Sequence, residues 1–210
     1  MATPTRRTGA LALEQRLVIA ADLLSFRHLA ERSAAREPDS APFFAMLAEG
    51  EAVAAQALGA YAEACGVDEE RAAAYEPLPG CQAYPSYVAR LALGAAPADV
   101  VLALSANFAS WGGYCATISK ALRDHYGFTD EARAFFGFFA EPAPELQERA
   151  RAAVQAGLDA GRIGENRAHA YGRLLQGYES MFWTTPARPE RGAGHRAISH
   201  GRPAVGVRPC

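Results

Sequence analysis

Residues 10–36 read ALALEQRLVIAADLLSFRHLAERSAAR, a stretch rich in Ala, Leu and Glu with neither glycine nor proline. Leu13, Leu17, Phe26 and Leu29 recur at helical spacing, which predicts one long amphipathic helix. EPDSAP ends it with two prolines. Outward from there the same punctuation repeats. A second helix is expected from about Ala41 to Cys65, with Gly66 as its stop. A short helical turn follows in DEERAAAY, then a Pro/Gly corner, then helices over about 84–93, 99–126 and 129–140. Gly127 closes the second of these, and Thr129 is the N-cap expected for the third, ahead of Asp130 and Glu131. Two more span about 145–158 and 163–183. No alternating β-branched run bounded by hairpin turns occurs, so the fold class is all-α, a bundle of about seven helices. The domain is expected over 10–185, and 186–210, rich in Gly, Pro and Arg, reads as a poorly packed C-terminal tail.

With 210 residues, 50% of them hydrophobic, the chain can bury one sizeable core. A formal charge of -2 with interspersed signs leaves no basic stripe for nucleic acid. Lys120 is the only lysine, which excludes most lysine chemistry. No run of 18 apolar residues and no secretory leader is present, so no membrane partner and a cytoplasmic location are expected. Cys65, Cys81, Cys115 and Cys210 form no CxxC pair and read as mostly buried thiols. Glu165 and His169 stand at i, i+4, but no second histidine is well placed, so no metal and no cofactor are expected.

Several polar residues interrupt apolar helix faces. Asp22 shares a face with Val18, Ile19 and Phe26, and a lone carboxylate buried there is costly unless it is bonded or neutralised. Either a structural tie to an arginine or helix-end amides, or a binding role, answers that cost. Glu179 lies among Tyr171, Leu175, Phe182 and Trp183. Glu51, four residues after Leu47, reads as structural, with Arg90 a candidate partner. Asn107, Trp111 and Cys115 follow at i+4 steps, with Tyr114 just off the line. Gly112 and Gly113, each costing about 1 kcal/mol in a helix interior, suggest a close neighbour on that helix. Carboxylates, tyrosines, an amide and aromatic rings together suit a small, flat heteroaromatic ligand.

AADLLSFRHLAERSAA, FFAMLAEGEA, CQAYPSYVARL, NFASWGGYCATISKAL and YESMFW, in this order over about 20–183, resemble the TenA/thiaminase II family, related to PqqC proteins. The resemblance implies the haem-oxygenase-like helical fold and a homodimer or homotetramer. It also implies an aminopyrimidine or thiamin-like ligand held by Asp22 and Tyr84, with Glu179 handling protons. Asn107, Trp111, Tyr114, Cys115 and Phe182 are the other expected pocket residues. The family's nucleophilic cysteine has no counterpart. Counted from Tyr84 its place falls on Asn107, and counted from Ile118 it falls on Trp111. Neither can form a covalent adduct. The resemblance therefore implies a weak C–N hydrolase, with a non-catalytic binding or accessory protein, or a biosynthetic enzyme acting on another substrate, as alternatives.

Overall fold

Four of the helices open with proline in their first turn, where the missing N–H costs nothing and φ is already set. The computed structural model describes residues 6–186. Its helices are α1 (Arg6–Arg36), α2 (Ala41–Ala64), α3 (Glu69–Ala73), α4 (Pro79–Gly94), α5 (Pro97–Ala121), α6 (Ala134–Ala140), α7 (Pro144–Asp159) and α8 (Glu165–Thr184). Short 3-10 turns at Pro38–Ser40 and Glu131–Arg133, and a π turn at Leu122–Tyr126, complete the order, and the described residues contain no strand. Residues 187–210, nearly all of the expected tail, lie outside the described residues, as does Cys210.

Most expected helices appear within a few residues of their boundaries. α4 is the largest difference, starting at Pro79 rather than near Tyr84, because Pro79 sits in its first turn and the helix continues through Pro85. Pro85 lacks the N–H that would reach the Cys81 carbonyl, a loss its buried packing must offset. Gly66 (φ 66) and Gly127 (φ 67) hold the left-handed conformation that an ending helix needs. Thr129 Oγ1 accepts the Ala132 N–H at 3.2 Å, capping a 3-10 turn that leads into α6.

α1 packs along α2 and α4, α8 bridges α4 and α5, and α6 and α7 lie against α5. Buried apolar side chains form two clusters. One gathers Val18, Phe26, Phe43, Phe44, Val88, Leu104 and Leu175, while the other gathers Ile19, Leu58, Tyr61, Cys115, Leu122, Phe135 and Phe136. Leu11, Trp111 and Trp183 pack against both clusters and mark the boundary between them. Gly112 lies where a Cβ would stand 3.0 Å from the Phe139 carbonyl oxygen, so α6 approaches α5 closely there. Gly113 faces open space, and nothing in the structure explains it.

Three buried acids hold the helices together. Glu14 is wholly buried and accepts from the Tyr75 hydroxyl (2.7 Å), the Leu78 amide (2.6 Å) and Gln82 Nε2 (2.7 Å). Glu37 accepts from the Ala98 amide at 2.9 Å, at the start of α5. Asp99 accepts from the Gly164 amide (2.8 Å) and Arg167 Nε (2.5 Å), tying α5 to the start of α8. Each carboxylate has donors that replace water, the condition under which burying it is tolerable.

Candidate functional site

Two other acids lack such partners. Asp22 is 3% exposed, and its Oδ1 has no hydrogen-bond partner. Burial pushes its carboxyl from 3.8 up to about 8. Glu51, projecting from α2, is half-buried, and its carboxyl is raised well above its ordinary value by burial and then by the charge of Asp22 beside it. The expected Glu51–Arg90 pair is corrected here, because the Arg90 guanidinium lies 5.6 Å from the centre of the Tyr87 ring and bonds no carboxylate. Nor is Asp22 tied to an arginine or to helix-end amides. Among the described residues neither acid has an ion-pair partner, and like charges on α1 and α2 acting on each other favour protonating at least one.

Tyr84, on α4, joins this pair to a third acid. Its buried hydroxyl is held protonated by burial and then by the negative charges of Asp22, Glu179 and Glu51. All three acids thus lie close enough to act on one phenol. The Tyr84 hydroxyl donates to Asn107 Oδ1 over a long 3.5 Å. Asn107 Nδ2 in turn donates to Glu179 Oε2 at 2.5 Å, and Trp183 Nε1 donates to Glu179 Oε1 at 3.1 Å. Gln176 Nε2 adds a weaker contact at 3.4 Å. Burial raises the Glu179 carboxyl, and the bonds from Trp183 and Asn107 pull it back. The tyrosine, amide and acid form a hydrogen-bonded line across α4, α5 and α8.

An aromatic wall stands beside this line. Trp111 stacks on Tyr84 with centroids 6.1 Å apart and planes 18° from parallel. Phe139, Phe182 and Trp183 surround the same indole at 5.9, 5.8 and 4.9 Å. Asn107 and Trp111, the two alternatives for the cysteine's place, both touch Tyr84, one through its amide and the other through its ring. Phe182 is wholly buried. Tyr114 is 41% exposed and packs on Trp183 at 5.2 Å, so it stands at the outer edge of the wall. Cys115 is wholly buried, and burial followed by the charge of Glu179 drives its thiol strongly upward. A thiol so disfavoured as thiolate is a poor nucleophile.

The described residues contain no cluster of three or more His, Cys, Asp or Glu able to hold a metal ion. His169 and Glu165 are both exposed, 3.7 Å apart on the outer face of α8. Two open surface depressions lie apart from the acids. One, of about 370 Å³, is bounded by Leu13, Arg16, Leu17 and Tyr75, and the other, of about 310 Å³, by Arg27, Glu31, Ala45 and Glu49.

The buried polar line on α4, α5 and α8 falls within residues 45–188, the segment that matches the TENA/THI-4/PQQC family. The chain belongs to that family. More than half of it is covered by the match, and its all-helical architecture is the haem-oxygenase-like fold of TenA proteins. No curated protein and no solved structure matches the chain. The match in this TENA/THI-4/PQQC member includes Glu51, Tyr84, Asn107 and Glu179 but begins after Asp22. α1, which packs along α2 and α4, brings Asp22 near Tyr84. Among the described residues, no helix is long and apolar enough to cross a membrane.

Glu51 and Gln15 are the residues that reading the sequence undervalued. For Glu51 the sequence offers Arg90 only as a candidate partner, because i, i+4 patterns do not reveal which acid another helix will bring opposite. For Gln15 the signal is local. It stands seven residues before Asp22, with Leu11, Ala12, Val18 and Ile19 at helical spacing around it.

Proposed function

We propose that this protein binds a small heteroaromatic molecule carrying an amine, of the aminopyrimidine or thiamin type, between Asp22, Glu51, Tyr84 and Glu179, and that it is a weak C–N hydrolase toward it. The observation that carries this reading is the contrast between two sets of buried acids. Glu14, Glu37 and Asp99 are all hydrogen-bonded, whereas Asp22 has an unpartnered oxygen opposite Glu51. A ring nitrogen next to an exocyclic amine offers a donor and a site for a proton, which is what a pair of acids sharing too much negative charge lacks. Trp111 and Phe182 supply apolar surface for the ring. Tyr84 and Asn107 orient it from the side of Glu179.

In the hydrolytic step, Glu179 acts as general base on a water molecule. The water oxygen forms a bond to the methylene carbon that joins the two rings, and its proton passes to Glu179. The C–N bond breaks, and its electron pair remains on the departing ring nitrogen, which loses its positive charge. A carboxyl raised by burial yet still supplied with donors is suited to taking up and returning a proton. Without a covalent intermediate one difficult step is not divided into two, so turnover is slow. A homodimer or homotetramer, supported by family membership, and a cytoplasmic location belong to the same reading.

A non-catalytic binding protein is the second reading. It is favoured by the Trp111 indole lying against Tyr84 at one of the two counted nucleophile positions, and by the suppressed Cys115 thiol. Calorimetry with thiamin and with 4-aminopyrimidine, combined with chromatography of the mixture, separates the two. Binding with slow release of the free thiazole supports the hydrolase, and binding without product supports the second reading. If neither compound binds, the whole proposal fails.

A further inference from the structure

Gln15 is wholly buried on the inner face of α1, and neither its Nε2 nor its Oε1 has a hydrogen-bond partner. The only other buried amide side chain among the described residues, Asn107, is bonded to Tyr84 and Glu179. Leaving both the donor and the acceptor of an amide unpaired in the interior forfeits the hydrogen bonds that water gives them in the unfolded chain. A leucine of similar size would avoid that cost entirely. Seven residues separate Gln15 from Asp22, so the two share one face of the helix about 10 Å apart along its axis. Asp22 Oδ1 is a second unpartnered buried polar atom on that face, and Ser33 Oγ, five helical turns from Gln15, is a third. The side chains around Gln15 belong to both halves of the core. Val18 is in one cluster, Ala12 and Ile19 are in the other, and Leu11 touches both. The helical neighbours of the amide thus span the boundary between the clusters, which Trp111 and Trp183 also touch.

Charge identifies what such an amide recognises. The helical neighbours of Gln15 carry no ionisable group, and the adjacent Glu14 is fully occupied by Tyr75, Leu78 and Gln82. Arg16, the one cation within a helical turn of Gln15 along the chain, is exposed and so turned away from the buried amide. An uncharged group with its own donor and acceptor, such as a hydroxyl or carboxamide, satisfies both amide atoms without adding a buried charge.

We propose that Gln15 is a specificity-determining residue of the Asp22 site, and that the ligand is two-ended, with an amine-bearing ring at Asp22 and an uncharged hydroxyl or carboxamide end at Gln15. This rests on the ring-binding reading above and adds the nature of the distal end. A ligand ending in a phosphate monoester is disfavoured.

The test measures thiamin, thiamin monophosphate and 4-aminopyrimidine by calorimetry on the wild-type protein and on Gln15→Leu. In the wild type, thiamin binds more tightly than its monophosphate. In Gln15→Leu, thiamin binding weakens about tenfold, the worth of one lost pair of hydrogen bonds, while 4-aminopyrimidine binding changes less than twofold. The free variant melts higher, because an unpaired amide has been replaced by an apolar side chain. Unchanged thiamin affinity overturns the inference, and so does an equal loss for both probes, which would make Gln15 a packing residue. Tighter binding of the monophosphate overturns it as well. If Gln15→Leu does not fold, Gln15→Met carries the same comparison. Binding of 4-aminopyrimidine to the wild type keeps failure of this inference distinct from failure of the site, because its absence removes both.

Discussion

Replacing Asp22 by asparagine separates a binding carboxyl from a structural one. An unfolded chain releases the Asp22 proton near 3.8, whereas the folded chain retains it up to about 8. Below the first value both states are protonated, and the contribution of this group to stability is fully present. Between the two values unfolding releases a proton, so stability falls as pH rises, by about 1.4 kcal/mol per pH unit. By pH 7 the loss amounts to about 4 kcal/mol, and above about pH 8 it no longer grows. Glu51 is raised as well, so it adds a slope of the same sign. Asparagine has nearly the same size, keeps polar atoms in the same place and has no proton to lose. Asp22→Asn is therefore expected to be about as stable as the wild type at pH 4.5 and more stable at pH 7.5, by up to about 4 kcal/mol. It also relieves the repulsion on Glu51. Binding of an amine-bearing ring falls at the same time, by tenfold or more, since the ionisable partner is gone. Urea unfolding at pH 4.5, 6 and 7.5, with calorimetry at pH 7, measures both effects. Parallel pH slopes for the two proteins, or an asparagine variant less stable at pH 7.5, would refute the reasoning and make Asp22 a stabilising residue.

Three further outcomes follow from the same packing. Glu51→Gln removes a carboxyl that is raised in the folded state, so the decline of stability with rising pH becomes shallower in urea unfolding, and ring binding weakens. Glu14→Ala removes three hydrogen bonds and leaves Tyr75, the Leu78 amide and Gln82 without their acceptor, costing about 2–4 kcal/mol in denaturant while the ring affinity of the surviving folded protein stays within twofold. Cys115→Ser leaves any product release nearly intact, and in the folded wild type Cys115 resists a thiol reagent that labels it readily in urea; complete loss of turnover in the variant would restore a thiol mechanism.

Helix positions were legible because their causes are local. Prolines at first turns, the left-handed glycines Gly66 and Gly127, and the uninterrupted Ala/Leu/Glu pattern of residues 10–36 act within a few residues of chain. So were the inward faces of Asp22, Asn107 and Glu179, since 3.6-residue periodicity alone places them among apolar neighbours. Which acids would be satisfied was not legible. Glu14 and Asp22 stand on the same helix and are both buried, yet one meets a backbone amide, a hydroxyl and a carboxamide from residues 75–82, and the other meets a carboxylate from α2. The same holds for Arg90, which finds the Tyr87 ring instead of Glu51. The sequence alone determined the helices and the sides they turn inward, because backbone hydrogen bonding and burial of an apolar stripe are local matters. Only the tertiary structure decided which polar groups meet, because a carboxylate's fate depends on donors carried by helices far away in the chain, and periodicity contains no information about their arrival.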